Sequence, residues 1–383
     1  MPQHPKAGII IVTWEKREDV LNLLNTLKNL DYDNYDIVVV DNASTDGTAE
    51  AVKEAFPGVH IIVNPENLGG TGGFNTGIKY ALGKGVYKYL WLLDNDVEVD
   101  SRALSELVRV LESSEEIAVA GSAMYDLTDK DKFLEAGYFI DLTKGRFHDD
   151  KKSIPDNARG KEFFIVDSIS SCSLCVSAEA ILDVGIWDEN YFIYCDDVDW
   201  NIRFGEKGYK VASVPGSRIW HVPWLFKIGF NTAYYANRNM LYLMNKHVPF
   251  PKRALGLLYK ELSILLLSLK LLVSGDYFHS ILTLKSVIDF FDKRFGKFED
   301  LEYIENLKKN AGERPYMLWT ETLARLAVKN VTYVISAFLS LIKGTAIEGL
   351  RILFKRLPPD TRLKLIDKIN NHYLSKRAKC RRS

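Results

Sequence analysis

Four short, almost wholly apolar runs, at residues 8–13, 37–40, 59–63 and 89–93, recur along the first hundred residues, and the stretches between them carry helical signals. After the first run, Val20, Leu23, Leu24, Leu27 and Leu30 fall at helical spacing. Residues 49–56 and 74–82 read as the next helices, then 104–111 with Ser101 as its expected N-cap, and 117–120 as a further strand. Strand–helix alternation of this kind predicts an α/β fold with a mainly parallel sheet covered by helices on both faces. From about 126 to 225 the texture shifts to hairpin-like segments, with Gly145 at a turn, a strand near 163–166 and a helix near 178–184. Beyond Asn231 the pattern is helical and rich in Leu, Ile and aromatics.

Charge narrows the class of partner. Of 383 residues, 50 are basic and 50 acidic, so no global field draws in nucleic acid. Residues 343–383 nevertheless hold 12 basic and 3 acidic side chains, a basic tail on an acidic body. Four cysteines do not make a disulfide scaffold. Cys172 and Cys175 form a CxxC without a second pair, which reads as small buried residues on a strand, with a redox dithiol as the alternative. The N-terminal MPQHPKAG has no basic n-region, and we expect a cytoplasmic protein without a signal peptide.

In open α/β sheets ligands bind at the carboxyl ends of strands. Three polar clusters fall at such ends: Thr13-Trp14-Glu15, Asp41-Asn42 and Asp94-Asn95-Asp96. Asp94 and Asp96, two apart in an extended segment, would project to one side and offer hard oxygen ligands to Mg2+ or Mn2+. The glycine-rich NLGGTGGFNTG suits close approach of backbone to a phosphate or sugar. A dinucleotide fingerprint is its rival, weakened by Asn75 where a third glycine or alanine belongs. A second acidic cluster, Asp196, Asp197 and Asp199, precedes Trp200. It reads either as carboxylates favoured at a helix start or as the source of a general base. His221 lies downstream in an aromatic run and is a candidate third metal ligand.

The ordered motifs VTW, VVVDNASTDGT, NPENLGGTGGFNTG, LWLLDNDVEVD, YFIYCDDVDWNIRFGEKGY, IWHVPW and YYANRN resemble glycosyltransferase family 2, whose fold is the Rossmann-like GT-A architecture. Within it the pattern is similar to galactofuranosyltransferases and rhamnosyltransferases. The resemblance implies a GT-A domain over 1–245, with a nucleotide-binding half (1–125) and an acceptor half (126–245), followed by a helical region at 246–383. It assigns Thr13, Trp14, Glu15 and Asp41 to the nucleotide pocket, and Asn67, Gly69, Gly70 and Gly73 to the donor. Asp94 and Asn95 fall beside the ribose and metal, Asp94, Asp96 and His221 to the metal. Asp197 is the implied base, with Asp196, Asp199 and Trp200 on the acceptor side. Arg238 is assigned to the diphosphate or a neighbouring loop. Ser171 and Cys172 depart from the tryptophan pair of galactofuranosyltransferases.

The implied activity is metal-dependent, inverting transfer of a hexose from a UDP- or dTDP-sugar to a glycan or polyprenyl-linked acceptor. A glycoside hydrolase would instead flank the scissile bond with two carboxyls and no metal. A non-catalytic sugar-nucleotide-binding scaffold is the reading from another class. Two apolar runs, 262–273 and 331–342, are shorter than the roughly 20 residues that span a bilayer. They predict either packing on each other or a partner subunit, or peripheral contact with an anionic membrane, helped by the basic tail at the inner face of the cell membrane.

Overall fold

The computed structural model describes residues 4–148, 161–222, 229–327 and 329. One compact unit extends from the N-terminus to Leu323, and a second comprises Ala324–Ser383. The apolar run at 331–342 and the basic tail lie outside the described residues.

The first half alternates as β1 (Ala7–Thr13), α1 (Arg17–Leu27), β2 (Tyr35–Asp41), α2 (Thr48–Ala55), β3 (His60–Val63), α3 (Gly69–Lys84), β4 (Tyr89–Asp94), β5 (Val97–Val99), α4 (Ala103–Ser113) and β6 (Ile117–Asp126). Short strands β7 (Phe133–Glu135), β8 (Phe139–Asp141), β9 (Arg146–His148) and β10 (Phe164–Val166) follow. Then come β11 (Ser173–Ser177), α5 (Ala178–Val184), α6 (Asp196–Glu206) and β12 (Lys210–His221). A π-helical turn, Thr232–Ala236, opens the helical part: α7 (Asn237–His247), α8 (Lys252–Val273), α9 (Tyr277–Phe291) and α10 (Leu301–Glu313).

Ten strands form one sheet in the order β10-β12-β6-β11-β4-β1-β2-β3, with β5 on β12 and β7 on β6. The β3-β2-β1-β4 block is parallel, as expected. Beyond it β11 runs antiparallel to both β4 and β6, so the whole sheet is mixed. Alternating side chains apolarise both faces. Ile9, Ile11, Trp91 and Leu93 pack on the side of α1 and α4, whereas Ile10, Leu90, Leu92 and Leu174 meet α3, α5 and α6.

Two local expectations change. Arg102, not Ser101, occupies the N-cap position of α4. The glycine-rich stretch is not a loop before a helix at Phe74, because α3 already begins at Gly69. A Cβ on Gly73 would lie 2.5 Å from the Val12 side chain, and one on Gly77 would lie 2.4 Å from Ile10. These glycines let α3 lie close against β1, which outweighs the roughly 1 kcal/mol that each costs inside a helix.

Helix α8 is two-sided. Leu257, Ile264, Ser268, Leu271 and Leu272 are buried, and the Ser268 hydroxyl donates to the Ser280 carbonyl on α9 at 2.8 Å. Leu255, Leu258, Leu262, Leu266, Leu269 and Val273 are exposed along one stripe. Among the described residues no helix is long and apolar enough to cross a membrane.

Candidate active site

The parallel strands β1, β2 and β4 deliver their polar ends to one edge of the sheet. Thr13 is buried and accepts a hydrogen bond from the Asn95 amide at 2.9 Å, which ties the β1 end to the turn after β4. Glu15 turns its carboxylate onto the Thr45 N–H and hydroxyl, at 2.8 and 2.9 Å. Asp41 accepts from the Ser44 N–H at 3.1 Å, and the Trp14 indole is half-exposed at the rim. The Asn67 side chain accepts from the Gly69 N–H at 2.8 Å at the start of α3. Gly69 abuts the Phe192 carbonyl and Gly73 faces Val12, whereas Gly70 opens onto the cavity described below.

Strand register builds the second cluster. His221 pairs with Val97 across β12 and β5, which sets the imidazole beside Asp96, one residue earlier. Its Nε2 stands 3.2 Å from the Asp96 carboxylate, and its Nδ1–H donates to the Val222 carbonyl at 2.6 Å. That bond fixes the tautomer and leaves Nε2 as the ligand atom, the arrangement typical of metal-bound histidine. Burial opposes charge on the ring, but Asp96 and Asp94 outweigh it and hold its pKa above the usual value. On β11, Ser173 pairs with Leu93, so Cys172 comes opposite Asp94. Ligand atoms of Asp94, Cys172 and His221 lie within 4.8 Å of one another. Burial, with Asp96 adding, pushes the Asp94 carboxyl up to about 6. Two carboxylates and an oriented imidazole suit a divalent cation. Asn95 and Asp96 form a turn rather than an extended segment, and Asp96 meets the cluster through His221.

The third cluster sits at the N-terminus of α6, and the helix separates its acids. Asp196 accepts from the Thr71 hydroxyl at 2.6 Å, joining α6 to α3. Asp197 accepts from the Ser171 N–H at 3.2 Å and the Val198 N–H at 2.8 Å. Burial, with Asp196 alongside, pushes the Asp197 carboxyl up to about 8. Asp199 does not reach the acceptor side. It is fully buried, pairs with Arg203, Lys246 and His247 at 2.8 Å each, and accepts from the Tyr191 hydroxyl at 3.1 Å. Burial resists its charge, but His247, Lys246 and Arg203 hold the carboxyl down at about 2. Trp200 is likewise turned into the core, its indole N–H on the Gly185 carbonyl at 2.8 Å and its ring against Trp187 and Phe204. Both are scaffold residues held in the protein interior, and Asp199, two positions on from Asp197, stands about 200° round the helix from it.

Asp94, Gly70, Asp196, Asp197 and residues 170–172 line one wall of a cavity of about 590 Å3. Helical residues line the other: Ala236, Asn237 and Met240 around the start of α7, with Lys260 and Leu267 on α8. Sequence reasoning missed this second wall, which the leucine-rich text of α8 does not announce. Five non-glycine residues with left-handed backbone, Glu15, Ala43, Phe192, Tyr194 and Cys195, stand in the loops around the site. Such strain gathers where a loop must hold a set shape.

Of the two roles expected of Arg238, at the diphosphate or at a neighbouring loop, its contacts match the loop. All five N–H donors go to protein: Nε to Asn239, and the terminal nitrogens to the carbonyls of Asn190, Tyr191, Arg294 and Gly296. With no donor to spare, it braces the loop that leads into α6. Asn239 adds bonds to the carbonyls of Tyr191, Ile193 and Tyr194.

Comparison with known proteins follows the same pattern. The family model for glycosyl transferase family 2 matches residues 8–171. The dTDP-rhamnosyl transferase RfbF of Shigella flexneri is 30% identical over 254 residues, 63% of this chain and 80% of that protein. The galactofuranosyltransferase GlfT2 of Mycobacterium tuberculosis is 24% identical over 242 residues, 58% of this chain. The chain spans 37% of GlfT2, and 47% and 64% of relatives from Methanocaldococcus jannaschii and Haloferax volcanii. The solved structure of GalNAc-T7 with UDP, GalNAc and Mn2+ shares the fold, with a TM-score of 0.53 at 15% identity over 64% of this chain and 48% of that one.

Proposed function

The chain belongs to glycosyltransferase family 2, and from that premise we propose that it moves a hexose from a nucleotide-diphosphate sugar to an acceptor hydroxyl with inversion. One observation carries the reading: Asp94, whose carboxylate is grouped with the His221 imidazole, and a separate carboxylate, Asp197, line one cavity, with Asp96 3.2 Å from His221 behind Asp94. Asp94, Asp96 and His221 would hold Mn2+ or Mg2+, which neutralises the charge of a diphosphate leaving group. Trp14 and the knitted loops at Glu15 and Asp41 offer a rigid seat for a nucleobase. Asp197 takes the proton of the acceptor hydroxyl as the new bond forms, and a single displacement needs no second carboxylate. Of the donors, a dTDP-hexose has the support of RfbF, of which the chain covers 80%. Ser171 and Cys172 are small where galactofuranosyltransferases carry tryptophans, and both line the acceptor side of the cavity.

A panel of UDP- and dTDP-sugars assayed for donor hydrolysis and transfer with Mn2+ tests this reading, and inertness towards all of them would remove it. Calorimetry gives a sharper result. Asp96→Asn and His221→Ala should weaken Mn2+-dependent nucleotide binding by about 10–100-fold or more, since even second partners of a metal ligand are worth that much. Unchanged binding in both variants would take them out of the site.

We place the acceptor on a lipid at an anionic membrane surface. The exposed leucine stripe of α8 is flanked by Lys252, Arg253 and Lys270, and its sole acidic residue, Glu261, is buried. Each clustered Lys or Arg near anionic lipid contributes about 1 kcal/mol. The same helix turns Lys260 and Leu267 towards the cavity, so lipid contact and acceptor entry share one element. The doubly substituted Leu262→Lys, Leu266→Lys protein should lose most binding to anionic vesicles in flotation assays. If the unaltered protein ignores such vesicles in low salt, the stripe belongs to another partner.

A further inference from the structure

We propose that the Cys172 thiol is a ligand of the divalent-cation site, making it a site of mixed hard and soft donors. The inference rests on the metal reading above and adds a ligand to it. Three observations on the chain lead there. The β4–β11 register sets Cys172 opposite Asp94, and its sulfur lies within 4.8 Å of ligand atoms of both Asp94 and His221. Cys172 also lines the cavity that Asp94 lines. The Ser170 hydroxyl donates to the sulfur at 3.2 Å, a bond that favours the charge a metal-bound thiolate carries. Cys175, by contrast, is fully buried opposite Trp91 in the core and takes no part.

Chemistry then predicts which ions respond. Thiolate adds affinity for Cd2+, Zn2+ and Co2+, and little for Mn2+ or Mg2+, which prefer oxygen. On binding, the thiol proton passes to solvent. Loss of the thiol should therefore weaken Cd2+ by about tenfold or more while Mn2+ affinity changes little.

The test is Co2+ titration of the full chain, read by absorption. The unaltered protein should show visible d–d bands together with a near-ultraviolet sulfur-to-cobalt charge-transfer band. Cys172→Ser should keep the d–d bands and lose the charge-transfer band, and Cys172→Ala should do the same if serine perturbs the loop. Parallel calorimetry should show the selective loss of Cd2+ affinity. Visible bands without charge transfer in the unaltered protein, or charge transfer that survives in both variants, would overturn the thiol ligand and leave the metal site standing. Absence of any Co2+ binding, with or without UDP, would overturn the metal reading as well.

Discussion

Asp197→Asn is expected to lower kcat by about 10²–10⁴-fold, the usual worth of a general base. The amide keeps the shape and its one oxygen keeps one of the two N–H bonds, from Ser171 or Val198, which reach different oxygens of the carboxylate, yet it cannot take a proton. Donor affinity should barely move. In the unaltered enzyme kcat/KM should rise with pH towards an apparent pKa near 8, a value that belongs to the Asp196–Asp197 pair. Asp196→Asn removes the neighbouring charge and should shift that limb to lower pH. Stability runs the other way. A carboxyl whose pKa is higher folded than unfolded favours the fold at low pH, and that contribution is lost as pH rises from about 4 to 8. Asp197→Asn should therefore melt higher than the unaltered protein at pH 8 and similarly at pH 4, so lost activity cannot be mistaken for unfolding. Near-normal turnover with both substrates saturating would move the base to Asp196.

Asp199→Ala should have the opposite profile, destabilising the protein by about 3–5 kcal/mol, the cost of stranding the partners of a buried charge. Four groups lose a shared acceptor at once, Tyr191, Arg203, Lys246 and His247, although Arg203 keeps the Val184 and Ile186 carbonyls, Lys246 keeps Asp188 and His247 keeps Glu206. The Asp199 carboxyl is depressed to about 2, so its contribution is present at neutral pH and disappears as pH falls below about 4. Urea titrations at pH 7 measure the loss. A change below about 1 kcal/mol would show the cluster to be no more than an ordinary surface ion pair.

Reading the chain as text gave the parallel strands because each is a short apolar run, but not their lateral order in the sheet. That the polar ends of β1, β2 and β4 share one edge could be read too, since parallel strands deliver their carboxyl ends to the same side. The face of α6 was also within reach: Asp197 and Asp199 are two apart on a helix, which puts them about 200° apart. The family motif treated the two as one cluster, and the geometry separates them, Asp199 in a buried ion-pair hub and Asp197 on the cavity. Cys172 was out of reach. Its place beside Asp94 depends on the register of an antiparallel strand about eighty residues later in the chain, and a slip of one residue would turn it away. Glycines 69–77 were misread because backbone permissiveness and close helix packing ask for the same residue type. Arg238 illustrates a further blind spot, as an arginine saturated by carbonyls looks in a sequence like one awaiting phosphate.

The brace that Arg238 forms has a consequence for how such proteins can be recombined. Its guanidinium joins the loop before α6 to the carbonyls of Arg294 and Gly296, which come after α9. A chimera spliced at residue 245 would keep the arginine and discard two of its five acceptors. The graft could fold and still present Asp197 at the wrong angle, because the loop that aims it is clamped from the far side of the splice. A graft that preserves the clamp must therefore carry residues 294–296 together with Arg238.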